Sequence, residues 1–412
     1  MGRLSAFWAL ACLVCFACTT QTVATTLPVI PSAAPVTSGT KPTTAPTTTL
    51  PPPPVVRVAL ESAPEGLDRA VADLYAWALD PRFPPPPLPG GLVDALGGKP
   101  HGPRELRVTG EASSAEVLSA RLAVVEAGDD VVLAVDRGGG WRIVGARLAR
   151  LGLPPWYGET PRLLMIIGSD ARPGQNPLKF RADSLHILGI DSTRNRASLL
   201  GIPRDTLVTK LDGTQDKLTH AMSSQGPGVL TETAENLTGL ELDGYLVTGF
   251  KGFIDVVDAF GGFTFDVPFG ITDEKAEADF RRGTQQFSGE DALAWSRIRH
   301  ISGGDFQRQL NGGDVLLAML TEAREGAVTS IDVPAMLGLF TRFVATDLSP
   351  EDLLTMAVAV VQLDPSEIDN VVVPGTTSRA VGRSVVLLDM VAFQMFRDIS
   401  DGVLDGDYPP FP

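Results

Sequence analysis

The sequence predicts an α/β layered domain, carried behind a small α+β unit and a long Thr/Pro-rich spacer. Three observations carry that prediction. From Pro161 onward, short apolar runs alternate with stretches of helical periodicity, the pattern of strands and helices packed in layers. Before it, Val55 to about Trp156 holds a separate pattern of one helix and a strand pair. The chain of 412 residues also exceeds one typical domain, and length alone gives two to three units at about 150 residues each.

Residues 1–18 place Arg3 before an apolar run, Leu4 to Cys18, which reads as an export or lipoprotein signal. All three cysteines, Cys12, Cys15 and Cys18, fall inside this run, so the folded domains are expected to hold no disulfide and the cysteine spacing no metal. As a helix the run reaches about 22 Å, short of the ~30 Å hydrocarbon core, so cleavage is expected rather than a permanent span. Cys15-Phe16-Ala17-Cys18 loosely resembles a bacterial lipobox, which makes Cys18 the candidate lipid anchor. Residues 19–54 are low-complexity Thr, Pro, Ala and Val ending in Leu50-Pro51-Pro52-Pro53-Pro54, a disordered linker that can extend to roughly 100 Å.

In the small unit, 55–158, helical periodicity runs through Leu67, Val71, Leu74, Tyr75 and Trp77 until Pro81 and Pro84 to Pro87 stop it. Val131–Val135 and Trp141–Val144 flank Asp136-Arg137-Gly138-Gly139-Gly140 as strand, turn and strand. No catalytic constellation occurs there, and an accessory role is expected. In the main domain, 159–400, Leu163–Ile167, Leu185–Ile190 and Ala197–Ile202 read as strands. Glu232–Leu237, Phe253–Phe260, Asp291–Arg297 and Val315–Glu322 read as helices. A strand at Asn370–Val373 and a helix around Leu387–Ile399 close it, before a tail at 401–412.

Lys plus Arg number 34 against 49 Asp plus Glu, a net charge of −15 that argues against nucleic acid as a partner. The positive charge is nevertheless placed with a pattern. Strand ends in α/β sheets are where ligands bind, and three successive strands meet Gly168-Ser169-Asp170-Ala171-Arg172, Arg181-Ala182-Asp183-Ser184 and Gly201-Ile202-Pro203-Arg204-Asp205 at their boundaries. Arginine forks fit phosphate oxygens and aspartate oxygens fit a hard cation, so the pattern points to a phosphate with a metal. One such pair would be an ordinary exposed ion pair; three in succession are not. Lys217, in Lys217-Leu218-Thr219-His220-Ala221, and Arg297, Arg299 and Arg308 add cations; on extended chain Arg297 and Arg299 would share one side. His300 reads as a structural group.

These segments, with Gly289-Glu290-Asp291-Ala292-Leu293-Ala294-Trp295, resemble the LytR-CpsA-Psr (LCP) family of bacterial envelope phosphotransferases over roughly Pro161 to Ala323, and more weakly over Asn370 to Ile399. The resemblance implies a three-layer α/β/α fold and transfer of a glycopolymer from a polyprenyl-pyrophosphate carrier to peptidoglycan, outside the cytoplasm in the cell envelope. It implies Mg²⁺ (or Mn²⁺) at Asp170 and Asp183, and a pyrophosphate clamp of Arg172, Arg181, Arg204, Lys217, Arg297, Arg299 and Arg308. Arg181, Arg204, Arg297 and Arg299 are the expected catalytic charges. Asp205, or a metal carboxylate, is expected to orient the acceptor hydroxyl. The N-terminal anchor would hold the enzyme at the membrane surface.

One departure from the family pattern follows Arg308, where Asn311 and Gly312 stand in place of a second arginine and a glutamine. Apolar residues between the motifs, from Leu242 and Tyr245 through Phe253 to Phe265, can line a channel for the lipid. Two other readings stay open at this point: a polyprenyl-pyrophosphate pyrophosphatase, and a non-catalytic envelope lipoprotein that binds polyprenyl phosphate or wall polymer.

Overall fold

The structure is a computed structural model and describes residues 52–98, 102–299 and 302–410. The leader with its three cysteines, most of the linker, and His300 lie outside the described residues. The small unit is a five-stranded sheet in sequential order, β1 (Val55–Glu61), β2 (Glu105–Val117), β3 (Ala120–Ala127), β4 (Asp130–Asp136) and β5 (Arg142–Arg147). β1 runs parallel to β2 because α1 (Leu67–Leu79) and α2 (Gly90–Leu96) cross between them; the other pairs are antiparallel. Its sheet is buried on both faces. Val132 and Ala134 meet Leu67, Val71 and Leu74 of α1, while Val131, Leu133 and Val135 join the core of the following domain. That two-sided burial explains the unbroken apolar run of β4, and it makes the small unit a packed layer of the molecule.

The main domain centres on six strands: β6 (Arg162–Ser169), β7 (Ala182–Asp191), β8 (Arg196–Gly201), β11 (Gly244–Thr248), β16 (Ala345–Thr346) and β17 (Ile368–Val372), in the order β16-β11-β6-β7-β8-β17. Two short ladders, β9 (Leu207–Thr209) with β10 (Gln215–Lys217) and β12 (Phe263–Val267) with β15 (Gly283–Phe287), lie outside it, as does the hairpin β13 (Ile271–Asp273) with β14 (Ala278–Phe280). On one face pack α3 (Leu218–Gln225), α4 (Pro227–Thr238) and α10 (Met390–Asp398). On the other lie α5 (Phe250–Ala259), α6 (Gly289–Arg297), α7 (Asp305–Glu325), α8 (Val333–Phe340) and α9 (Pro350–Gln362). The result is the three-layer α/β/α arrangement expected.

Several boundaries differ from the sequence reading, among them the start of α4 at Pro227, five residues before the expected Glu232. Helix α7 starts at Asp305, ten residues before the expected Val315. Its first turns carry polar residues and two glycines, so no apolar stripe marks them, and tertiary bonds hold them instead. Gln309 accepts from Leu185 N at 3.1 Å, and Asn311 donates to Trp295 O at 3.3 Å. At the other end Leu387 and Leu388 belong to a strand, β19 (Arg383–Leu388), paired with β18 (Gly375–Ala380). Asp389 caps α10 by accepting from Val391 N and Ala392 N, which fixes the helix start at Met390. The described part of the tail is docked: Leu404 is buried in the core, and Asp405 pairs with Arg194 and Arg196.

Asp314 makes the α7 contact with the sheet sensitive to pH. It accepts from Asn370 Nδ2 at 2.8 Å, yet burial pushes its pKa up to about 6, against the pull of that bond. A folded-state value above the unfolded one near 3.9 gives stability that is present below about pH 4 and lost as pH rises through about 6. His186 works oppositely: burial lowers it to about 4, so its contribution is gained as pH rises from about 4 to about 6.5. Asp314→Asn should therefore gain about 2 kcal/mol over the natural chain at pH 7.5 and nothing at pH 4, measured by urea unfolding.

Candidate active site

The C-terminal ends of β6, β8 and β11 meet the start of the antiparallel β7 at one edge of the sheet. A register shift there decides which side chains face the site. Gly168 pairs with Ser184 and Ser169 with Ala182, so Asp183 is an extra residue, a bulge. Ala182, Leu185 and Ile187 face the α3/α4/α10 layer, whereas Asp183, Ser184 and His186 line a cavity under α5, α6 and α7.

Asp183 is the hub of the cations. Its Oδ1 accepts from Arg204, and its Oδ2 lies 3.4 Å from Arg299 Nη2 and 3.5 Å from Arg308 Nη1. Arg204 Nε is 3.7 Å from Asp305 and 3.9 Å from Asp205, whose other oxygen takes Lys217 Nζ at 2.6 Å. Asp170 accepts both the backbone N–H and Nε of Arg181 at 2.9 Å, and this pairing raises the Arg181 pKa.

The cluster has more donors than acceptors. Arg308 is only 4% exposed, and burial pushes its guanidinium down to about 10 although Asp305 and Asp183 stand beside it. Its Nη2 lies 2.7 Å from Asp305 Oδ1 as an ion pair, but not aligned as a hydrogen bond. Nε of Arg308 and Nε of Arg204 are buried without an acceptor. Buried donors left unsatisfied are costly, about 1–3 kcal/mol each, and an anion entering the site would relieve them.

The seven predicted bases thus divide. Arg204, Arg299 and Arg308 share Asp183, and Arg181 and Lys217 hold Asp170 and Asp205. Arg297 is the last residue of α6, in line with the helix expected over Asp291–Arg297, so it does not lie on extended chain with Arg299. Its guanidinium lies 5.0 Å over the Phe250 ring, and Nη2 donates to Lys275 O at 3.2 Å. It is a wall of the cavity. Arg172 sits exposed on the loop after β6, its backbone N–H donating to Gln175, and joins none of these pairs. Asn311 is buried between Trp295 and Gln307, where it ties α7 to α6 and contributes nothing to the clamp.

Sequence reasoning missed Asp305, Ser184, His186 and Gln309. The three-residue spacing of Asp305 to Arg308 at a helix start was a usable signal. The other three depend on the bulge and on α7 lying across β7, which no local pattern shows.

The cavity encloses about 880 Å³ free of protein atoms, its open mouth included. Ile166, Leu246, Phe253, Val256, Leu293 and Leu316 line it, and Asp183, Ser184 and Arg308 close its polar end. Of the expected apolar set, Leu246, Phe250, Phe253 and Val256 reach it. Leu242 and Tyr245 pack on the opposite face of the sheet, and Val257, Phe260, Phe263 and Phe265 are core.

Asp170 N donates to Arg181 O at 2.9 Å, two residues before Asp183 in the chain. Among the described residues no group of three or more His, Cys, Asp or Glu gathers at one point. Two hard carboxylates suit Mg²⁺, which takes one or two protein carboxylates and completes its shell with phosphate and water. Both carboxylates are paired with arginine, so such an ion would enter only together with a phosphate-bearing ligand that draws those arginines away.

Known proteins are similar to this chain in sequence and fold. TagV of Bacillus subtilis (strain 168), a polyisoprenyl-teichoic acid–peptidoglycan teichoic acid transferase, is 36% identical over 168 residues, 38% of this chain and 42% of its own. TagU of the same strain, named for the same transfer, is 34% identical over 154 residues, 37% of this chain and 48% of its own. The chain therefore matches less than half the length of these relatives. The crystal structure of B. subtilis TagV superposes on 60% of this chain and 98% of its own, with a TM-score of 0.52 and 26% identity. The sequence model of the LytR_cpsA_psr family matches residues 158–400, which include every cation and carboxylate of the site, and the chain belongs to that family.

Proposed function

We propose that the protein transfers a glycopolymer from a polyprenyl-pyrophosphate carrier to peptidoglycan. One observation carries the reading: an apolar cavity opens directly onto an arginine cluster in which Nε of Arg204 and Nε and Nη2 of Arg308 have no acceptor. Such a site suits an amphiphile with a long hydrocarbon tail and a polyanionic head. The relatives are named for polyisoprenyl-linked teichoic acid and peptidoglycan, which supports both donor and acceptor.

In this reading Arg204, Arg299 and Arg308 turn from Asp183 to the pyrophosphate oxygens, and Arg181 and Lys217 flank them. A sugar hydroxyl attacks the phosphorus that carries the glycopolymer. The bond to the polyprenyl phosphate breaks, its electron pair leaves with the bridging oxygen, and the departing polyprenyl phosphate takes up the hydroxyl proton. No protein nucleophile is needed, since phosphoryl transfer rests on positioning and charge stabilisation. Asp170 and Asp183 would hold Mg²⁺ or Mn²⁺, which supplies charge neutralisation on the phosphates. A lipid on Cys18, left after cleavage of the leader, would tether the enzyme to the envelope membrane; among the described residues no helix is long and apolar enough to cross one.

With donor labelled in the glycopolymer, release of polyprenyl phosphate should depend on added peptidoglycan and move label into it. Equal release without acceptor would show a pyrophosphatase; binding without release would show a carrier protein. Leu246→Trp, which fills the cavity, should weaken binding of a long-chain polyprenyl pyrophosphate at least tenfold. It should leave inorganic pyrophosphate binding unchanged, as measured by calorimetry.

A further inference from the structure

The clamp supplies donors in abundance, but an attacking hydroxyl needs an acceptor to orient it. Asp170 and Asp205 stay paired with Arg181 and Lys217, Asp183 faces three arginines, and Asp305, whose Oδ2 is buried without a partner, does not line the cavity. Beside Asp183, at the polar end of the cavity, stands Ser184, and its hydroxyl direction is set from behind. Buried His186 places Nε2 2.9 Å from the Gln309 carbonyl. A carbonyl only accepts, so Nε2 carries the proton and Nδ1 presents a lone pair. Burial keeps the ring neutral, its pKa lowered to about 4. Ser184 Oγ lies 3.4 Å from Nδ1 and is the donor to it. The Ser184 proton is thus turned inward, and its oxygen lone pairs are left to the cavity.

Gly312 keeps that oxygen accessible. A Cβ at this position would come within 3.3 Å of Ser184 Oγ and 3.2 Å of His186 Cε1. Ser296 and Thr248 also spend their protons on carbonyls, but they stand on α6 and β11, apart in the chain from the Asp183 bulge.

We propose that Ser184, held as a pure acceptor by His186, receives the hydrogen bond of the attacking sugar hydroxyl and aims its oxygen at the phosphorus. His186 is a positioning residue that acts through Ser184. This rests on the transfer reading above, and deepens it by naming the group that handles the acceptor.

The test measures acceptor dependence and donor binding together, in the same purified protein. Ser184→Ala should raise the peptidoglycan KM or lower acceptor-dependent kcat about tenfold while donor affinity stays unchanged, and Ser184→Thr should restore transfer. Gly312→Ala should act in the same direction by crowding the oxygen. ¹⁵N NMR of histidine-labelled protein should show a neutral Nε2–H imidazole for His186 whose Nδ1 resonance moves in Ser184→Ala. Unchanged acceptor kinetics in Ser184→Ala, a matching loss of donor binding, or a stronger acceptor defect in Ser296→Ala would overturn the assignment alone. Absence of acceptor-dependent transfer in the natural chain would overturn the transfer reading with it.

Discussion

Arg204→Ala is expected to lower kcat/KM for transfer by about 10²–10³, the effect of removing one preorganised charge from a developing phosphate anion. The side chain is 16% exposed, donates to Asp183, and approaches Asp205 and Asp305, so it stands at the centre of the carboxylates. Its removal relieves like-charge crowding with Arg308, so the melting temperature should move by only a few degrees. Arg204→Lys should recover little, because an ammonium is a point charge and cannot span two oxygens as a fork does. Transfer at the natural rate with a normal melting temperature would remove Arg204 from the clamp.

Asp183→Asn should have the second large effect, with a different signature. Three guanidiniums lose their shared counter-charge, and leaving buried charges unpaired costs about 3–5 kcal/mol where pairing was complete. Asp183 retains some exposure and Asp305 remains, so a loss of about 2 kcal/mol is expected by urea unfolding. Transfer should be abolished. Inorganic pyrophosphate should bind at least as tightly as before in the absence of metal, because a competing anion is gone, while any Mg²⁺ enhancement of that binding disappears. Retained Mg²⁺ enhancement would show that Asp183 is not a metal-associated group.

The site was legible wherever chemistry follows directly from a strand end. β6, β7 and β8 are short apolar runs, so the Asp170, Asp183 and Arg204 boundaries could be read from hydropathy, and their recurrence on three strands signalled an anion. What could not be read was aim. The bulge that turns Asp183 toward the cavity depends on a register shift against Gly168 and Ser169, and register is a property of two strands. Arg297 would share a side with Arg299 only on extended chain; the helix expected through Arg297 is present, started by the capping box of Ser288 and Asp291, and it sets the two apart. The start of α7 was hidden because Arg308, Gln309 and Asn311 are buried polar residues, held by bonds to other elements and not by an apolar stripe.

The small unit presented the opposite problem. Its helix and hairpin were plain in the sequence, yet the second apolar face of β4 has meaning only against α8 and α9. A domain expected as an accessory unit is joined to the α/β/α layers through shared core.

The most direct test is a structure of the full chain with a long-chain polyprenyl pyrophosphate bound. The phosphates should lie within hydrogen-bond distance of Arg204, Arg299 and Arg308, with the hydrocarbon against Leu246, Phe253 and Val256. Phosphates bound elsewhere on the surface, with the cavity under α5 and α7 empty of hydrocarbon, would contradict the proposed site.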